Sequence, residues 1–165
     1  MRIVNIVASL KTDCPINLDK FHMENTAFSK FSPEKFPGLR LRVVYPKVTM
    51  LLFKNGNLVL IGAKTQEDVR FGFETVLKKL NCSTKLLDKV EISNYVAIGT
   101  ANSQLDLSVL RKKCKPYVVF EPELFPGLKY LMKNQQVTAI VFSSGKYILT
   151  GCKILSNVHS ANAII

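Results

Sequence analysis

Apolar and polar residues along this chain fall into short alternating runs, each closed by turn-forming residues. Ile3–Leu10, with Val, Ile and Ala around Asn5, reads as a strand. Asn17–Met23 carries Leu18, Phe21 and His22 at helical spacing behind an Asn17 cap, which predicts a short helix. Ala27–Phe31 is a short extended piece, and Ser32–Gly38, with two prolines and a glycine, is a loop. Three strands follow, Leu39–Tyr45, Val48–Phe53 and Leu58–Ala63. Pro46-Lys47 and Lys54-Asn55-Gly56-Asn57 part them, and Asn-Gly there favours a hairpin turn. Thr65–Leu80 is then an amphipathic helix: Thr65-x-x-Asp68 starts it, and Val69, Phe73, Val76, Leu77 and Leu80 form its apolar stripe.

The pattern is then written again. Shifted by 89 positions, Phe31, Pro33, Glu34, Phe36, Pro37, Gly38 and Leu39 become Phe120, Pro122, Glu123, Phe125, Pro126, Gly127 and Leu128. The same shift carries Val48, Thr49, Phe53, Gly56, Leu60, Gly62 and Lys64 onto Val137, Thr138, Phe142, Gly145, Leu149, Gly151 and Lys153, and Asn5-x-Val7 onto Asn94-x-Val96. The second copy has a strand at 92–99, a short helix at 106–112, a loop at 120–127 and strands at 128–133, 137–143 and 147–152. Its last helix is cut to a tail, Ile154–Ile165, long enough for about two turns. We therefore read two repeats, residues 1–89 and 90–165, each of five strands and two helices. Two copies are too few for a solenoid and must pack as one pseudo-twofold body of class α+β, an antiparallel sheet with helices on one face.

Composition narrows the function classes. No apolar run approaches the ~20 residues of a membrane span, so no membrane role is expected. MRIVNIVASL lacks a cleavage-like site and reads as a core strand. Cys14, Cys82, Cys114 and Cys152 stand singly, with only His22 and His159 to help, which predicts reduced thiols and no zinc site. No nucleophile, base and orienting group share a recognisable spacing and no phosphate loop is present, so neither catalysis nor a cofactor is expected. The net charge of +11 is spread over both copies: 15 Lys/Arg against 8 Asp/Glu in 1–89, and 8 against 4 beyond. Such a field suits a polyanion, or serves only solubility. Arg111-Lys112-Lys113-x-Lys115 reads as a solvated face.

Residues i and i+2 of a strand share a face. Leu51 with Phe53 and Val59 with Ile61 are matched in the second copy by Ile140 with Phe142 and Ile148 with Thr150. These residues either pack under the helices or form an open, apolar, β-branched surface bearing Asn5 and Asn94 at equivalent places. An open apolar surface is an aggregation hazard unless a ligand fits it.

The strings Phe36-Pro-Gly-Leu, Pro46-Lys47, Leu51-Leu-Phe53, Gly62-Ala-Lys64, Glu121-Pro-Glu-Leu-Phe-Pro-Gly-Leu128, Ser144-Gly-Lys146 and Leu149-Thr-Gly151 resemble the core of the TATA-box-binding protein family. The resemblance runs from about Val4 to Lys153. It implies a saddle that binds double-stranded A·T-rich DNA in the minor groove, bends it, and nucleates transcription initiation in a nucleus or at the transcription site of a large DNA virus. One pair of wedges would be Phe36, beside Pro37, with Phe53; the other would be Phe125, beside Pro126, with Phe142. An aromatic plate replaces part of the stacking lost at an opened base step, which costs on the order of a few kcal/mol. The resemblance makes Asn5 and Asn94 donors to central base acceptors. Val7, Val96, Leu51, Val59, Ile140, Ile148 and Thr150 would lie against the groove floor, where A·T pairs show only acceptors and G·C adds an amino donor. Arg42, Lys64, Lys146 and Lys153 fall where phosphates would lie, and Ser144 is a further expected DNA contact. Glu121, Glu123 and Leu124 match the place where the family docks transcription factor IIB, with transcription factor IIA, other initiation factors and RNA polymerase as further expected partners.

The departures are specific. Ile61 stands where the family has Thr, as at Thr150; Leu131 replaces an arginine equivalent to Arg42; Gln135-Gln136 replaces the Pro46-Lys47 pair; Asn57 replaces the lysine equivalent to Lys146. Only Glu34 of the second loop's acidic set survives in the first, beside Ser32 and Lys35. A divergent factor that binds initiation proteins with weak or altered DNA recognition is the alternative these changes suggest.

Overall fold

A computed structural model describes residues 1–164, which pack as two compact units, Asn5–Ser93 and the residues from Asn94 onward together with Met1–Val4. In the first unit the antiparallel order is β2 (Ser29–Ser32), β3 (Phe36–Val43), β4 (Val48–Leu52), β5 (Asn57–Ala63), β1 (Arg2–Lys11). Helix α1 (Leu18–Glu24) is capped by Asn17, whose Oδ1 accepts from the Lys20 N–H at 3.0 Å. Helix α2 (Gln66–Lys79) begins in a full capping box: Thr65 Oγ1 accepts from the Asp68 N–H, and Asp68 Oδ2 accepts from the Thr65 N–H. These bonds satisfy donors that a helix start otherwise leaves open. Two features differ from the sequence expectation. Strand β3 starts at Phe36, so Phe36-Pro37-Gly38 belong to a strand and not to the preceding loop. Residues Thr84–Lys89 form a 3-10 helix that buries Leu86 and Leu87.

The second unit repeats the order as β6 (Glu91–Thr100), β10 (Lys146–Cys152), β9 (Val137–Val141), β8 (Leu128–Met132), β7 (Val118–Val119). Helix α3 (Leu107–Lys113) is capped by Asp106, and the tail makes the eight-residue α4 (Leu155–Asn162). Among the described residues no helix is long and apolar enough to cross a membrane.

Burial decides which face the helices take. In β1, Ile6, Ala8 and Leu10 are buried while Asn5, Val7 and Ser9 are only half-buried. Met50 and Leu52, Leu58 and Leu60 continue the buried set beneath α2, which lies against β4 and β5 through Val69, Phe73, Val76 and Leu77. In the second unit Ala97, Ala139, Val141 and Leu149 are buried and α4 lies against β9 and β10. Leu51, Phe53, Val59 and Ile61, like Ile140, Phe142, Ile148 and Thr150, point to the opposite side. That side of each sheet carries no helix, which resolves the choice left open by alternation alone.

Candidate nucleic-acid interface

Each open face is organised around an asparagine. In the first unit the β1–β5 register runs from Ile6↔Ala63 to Val7↔Ile61, so Gly62 is an extra residue, bulged out of the ladder with φ +101°. Glycine takes this left-handed backbone without a Cβ penalty. The stranded Gly62 N–H donates to Asn5 Oδ1 at 2.8 Å. That bond fixes the amide: its oxygen is occupied, and its NH2 is the end left for the open face. No second side-chain partner engages Asn5 among the described residues: Ile61 holds the place that Thr150 holds in the second copy, and it carries no hydroxyl.

The second unit builds the same device. The β6–β10 register slips between Leu149 and Cys152, Gly151 sits at φ +81°, and its N–H donates to Asn94 Oδ1 at 2.9 Å. Here Asn94 Nδ2 also donates to Thr150 Oγ1 at 3.3 Å, so one donor is shared with a hydroxyl that Ile61 cannot supply. Gly62 and Gly151 had no assigned role in the sequence reading, although their recurrence at the 89-residue offset was the available signal.

The phenylalanines that the family resemblance paired stand together in each unit. Phe36 and Phe53 stand edge to face with ring centroids 5.8 Å apart, and Phe125 and Phe142 do so at 6.0 Å. Gly38 and Gly127 make room for them. A Cβ on Gly38 would lie 2.7 Å from Phe36 and 2.9 Å from Phe53; one on Gly127 would lie 2.6 Å from Phe125 and 3.0 Å from Phe142. A cation covers the outer ring of each pair, the Arg40 guanidinium 5.0 Å from the Phe36 centroid and Lys129 Nζ 5.4 Å from that of Phe125. These two cations escaped the sequence reading, since their place over a ring follows from cross-strand neighbours. Pro37 and Pro126 are exposed beside the rings.

The remaining residues assemble in two groups. Arg42 lines a groove of about 510 Å³ with Lys30, Arg40, Lys47, Thr49 and Ile61. Ser144 and Lys146 line a hollow of about 1010 Å³ with Ile98, Pro126, Phe142 and Ile148. Val7, Leu51 and Val59, and Val96 and Ile140, are half-buried on the open faces. Lys64 and Lys153 are exposed beyond the ends of β5 and β10. Glu121, Glu123 and Leu124 occupy a tight turn in which the Glu121 carbonyl accepts from the N–H groups of Leu124 and Phe125 at 3.0 and 2.9 Å. Leu124 is 81% exposed there, beside two exposed carboxylates that join no ion pair among the described residues. Among the described residues no three His, Cys, Asp or Glu side chains converge as a metal site would require.

The asparagine–glycine bulge and the phenylalanine pair thus each occur twice, once in each unit. The family model for transcription factor TFIID (or TATA-binding protein, TBP) matches residues 1–83 and 89–165. The chain belongs to the TATA-binding protein family. Members of this family are DNA-binding transcription factors and not enzymes. The TATA-box-binding protein of Pyrobaculum islandicum is 34% identical over 97% of this chain and 81% of its own length. That of Thermococcus celer is 35% identical over 93% and 82% respectively. The solved Methanococcus jannaschii TBP superposes with a TM-score of 0.81 at 30% identity, over 99% of this chain and 94% of that one. The fold is thus that of a TATA-binding protein across both repeats.

Proposed function

We propose that this TATA-binding protein family member is a general initiation factor that binds A·T-rich promoter DNA in the minor groove, bends it, and recruits transcription factor IIB and RNA polymerase. The observation that carries the reading is the pair of oriented amides. In each repeat a backbone N–H holds the asparagine oxygen, so only donors are offered, amid Val, Leu and Ile side chains, to a surface that shows only acceptors at A·T pairs. A guanine amino group would meet a donor and an apolar wall. The edge-to-face Phe pairs would enter opened base steps at either end, offsetting unstacking by contact with the bent duplex. The protein would act where promoters are transcribed, in a nucleus or at the transcription site of a large DNA virus.

Binding and bending of an A·T-rich duplex, followed by fluorescence energy transfer at low salt, tests this. Phe125→Ala and Phe142→Ala should each reduce bending more than Lys146→Ala; equal or reversed losses refute the wedge assignment. The missing hydroxyl at Ile61 and the neutral Leu131 and Gln136 favour a second reading, an interaction protein with weak DNA recognition. Absence of bending by the unaltered protein would select it. The Glu121–Leu124 turn supports docking of a cationic surface of transcription factor IIB, since carboxylates beside a wedge repel DNA. Glu121→Arg should abolish that assembly while DNA binding persists, and unchanged assembly sinks the assignment.

A further inference from the structure

Strand register makes the two open faces comparable position by position, and their cations differ. In the first unit Lys30 lies opposite Arg40, and Arg42 opposite Thr49. The equivalent pairs in the second unit are Val119 opposite Lys129 and Leu131 opposite Thr138. Lys30, Arg40, Arg42 and Lys47 line one groove. None of them joins an ion pair among the described residues, whose pairs are Lys20–Glu24, Lys78–Glu74 and Lys89–Asp13. Four uncompensated charges in one groove repel each other, and a polyanion relieves that repulsion. The matching positions of the second unit hold Val119 (60% exposed), Lys129, Leu131 (46% exposed) and Gln136. The hairpin ends are balanced by contrast: Lys11 faces Asn57 in one unit and Lys146 faces Thr100 in the other. The inequality therefore belongs to the two outer strands.

Resting on the DNA-binding reading above, we infer that the outer strands of the first repeat grip the duplex through its phosphates with Lys30, Arg40, Arg42 and Lys47, and that the outer strands of the second, which keep only Lys129, meet it chiefly by apolar contact, its phosphate contacts being left to Lys146 and Arg2 nearer the hairpin end. The larger share of the salt dependence of binding then resides in the first repeat. Each phosphate neutralised contributes about 0.9 to the slope of log K against log salt.

The test is that slope, measured on an A·T-rich duplex between about 50 and 200 mM salt. Lys30→Val with Arg42→Leu, which writes the second repeat's residues into the first, should flatten the slope by about 1.8. That is about twelvefold less affinity lost over the range. The single variants, at about 0.9 each, keep the measurement in reach if the double variant binds weakly. The reciprocal Val119→Lys with Leu131→Arg should steepen the slope by a like amount. A slope that moves by less than about half a unit in either double variant overturns the inference. Failure of the unaltered protein to bind at the lowest salt would instead remove the DNA-binding reading on which it rests.

Discussion

Asn94→Asp separates what the asparagine does for the fold from what it does for DNA. The substitution is nearly isosteric and keeps an oxygen for the Gly151 N–H, now 2.9 Å from Asn94 Oδ1. Because that bond survives and a carboxylate accepts more strongly than an amide, the bulge should hold and the melting temperature should stay within about 3 °C, a change of under ~1 kcal/mol for a chain of this size. On the open face the change is severe. One donor hydrogen bond is lost, worth about 1 kcal/mol. For a carboxylate taken at about 8 Å from a phosphate of the bound duplex, an effective dielectric of about 20 gives about 2 kcal/mol of repulsion. Together these predict about a hundredfold weaker binding to an A·T-rich duplex, since 1.4 kcal/mol is a factor of ten. Asn94→Ala should show the opposite balance. It strands the Gly151 N–H and lowers the melting temperature more than Asp does, while it weakens DNA binding less. Titration calorimetry or fluorescence anisotropy beside a thermal melt reads both quantities. A fold-neutral Asp variant that binds within about tenfold of the unaltered protein would refute the outward-facing amide.

Further predictions test the surroundings of the site. Gly127→Ala places a methyl 2.6 Å from Phe125 and 3.0 Å from Phe142, so the exposed Phe125 ring must swing away; overpacking of about 1 kcal/mol should accompany a clear loss of bending by energy transfer, and full bending contradicts the packing argument. Thr65→Ala removes the capping oxygen of α2 and should lower stability by about 1 kcal/mol in a thermal melt, with DNA bending unchanged. Thiol alkylation followed by mass spectrometry should label exposed Cys14 first and Cys82 later, because burial, with Cys14 and Asp13 nearby, pushes the Cys82 thiol up; Cys152 is buried and should react only on unfolding.

Much of this was legible in the sequence because it is local or repeated. The Thr65-x-x-Asp68 box, the Asn17 cap and the Asn55-Gly56 turn are each written within four residues, and each forms as read. The Phe36–Phe53 and Phe125–Phe142 pairs were legible through the family resemblance, and their equal spacing of seventeen in both copies accords with it. The 3-10 helix at Thr84–Lys89 was not, since it lies against α2 with Leu86 and Leu87 buried, a packing that its own short polar-rich sequence does not signal. Nor was the early start of β3, where prolines signalled a loop but Ser32 pairs with Phe36 across the ladder.

By itself the sequence determined the alternation, the twofold repetition and the side-chain identities, because strand periodicity is a property of the local backbone. Which face of each sheet the helices cover was decided only by tertiary packing, as α2 settling on Met50, Leu52, Leu58 and Leu60 left Leu51, Phe53, Val59 and Ile61 uncovered. The direction of each asparagine amide was decided there too, since it depends on a bulged glycine 57 residues away donating its N–H to the oxygen. A hydrogen bond of that span cannot be read from either segment alone.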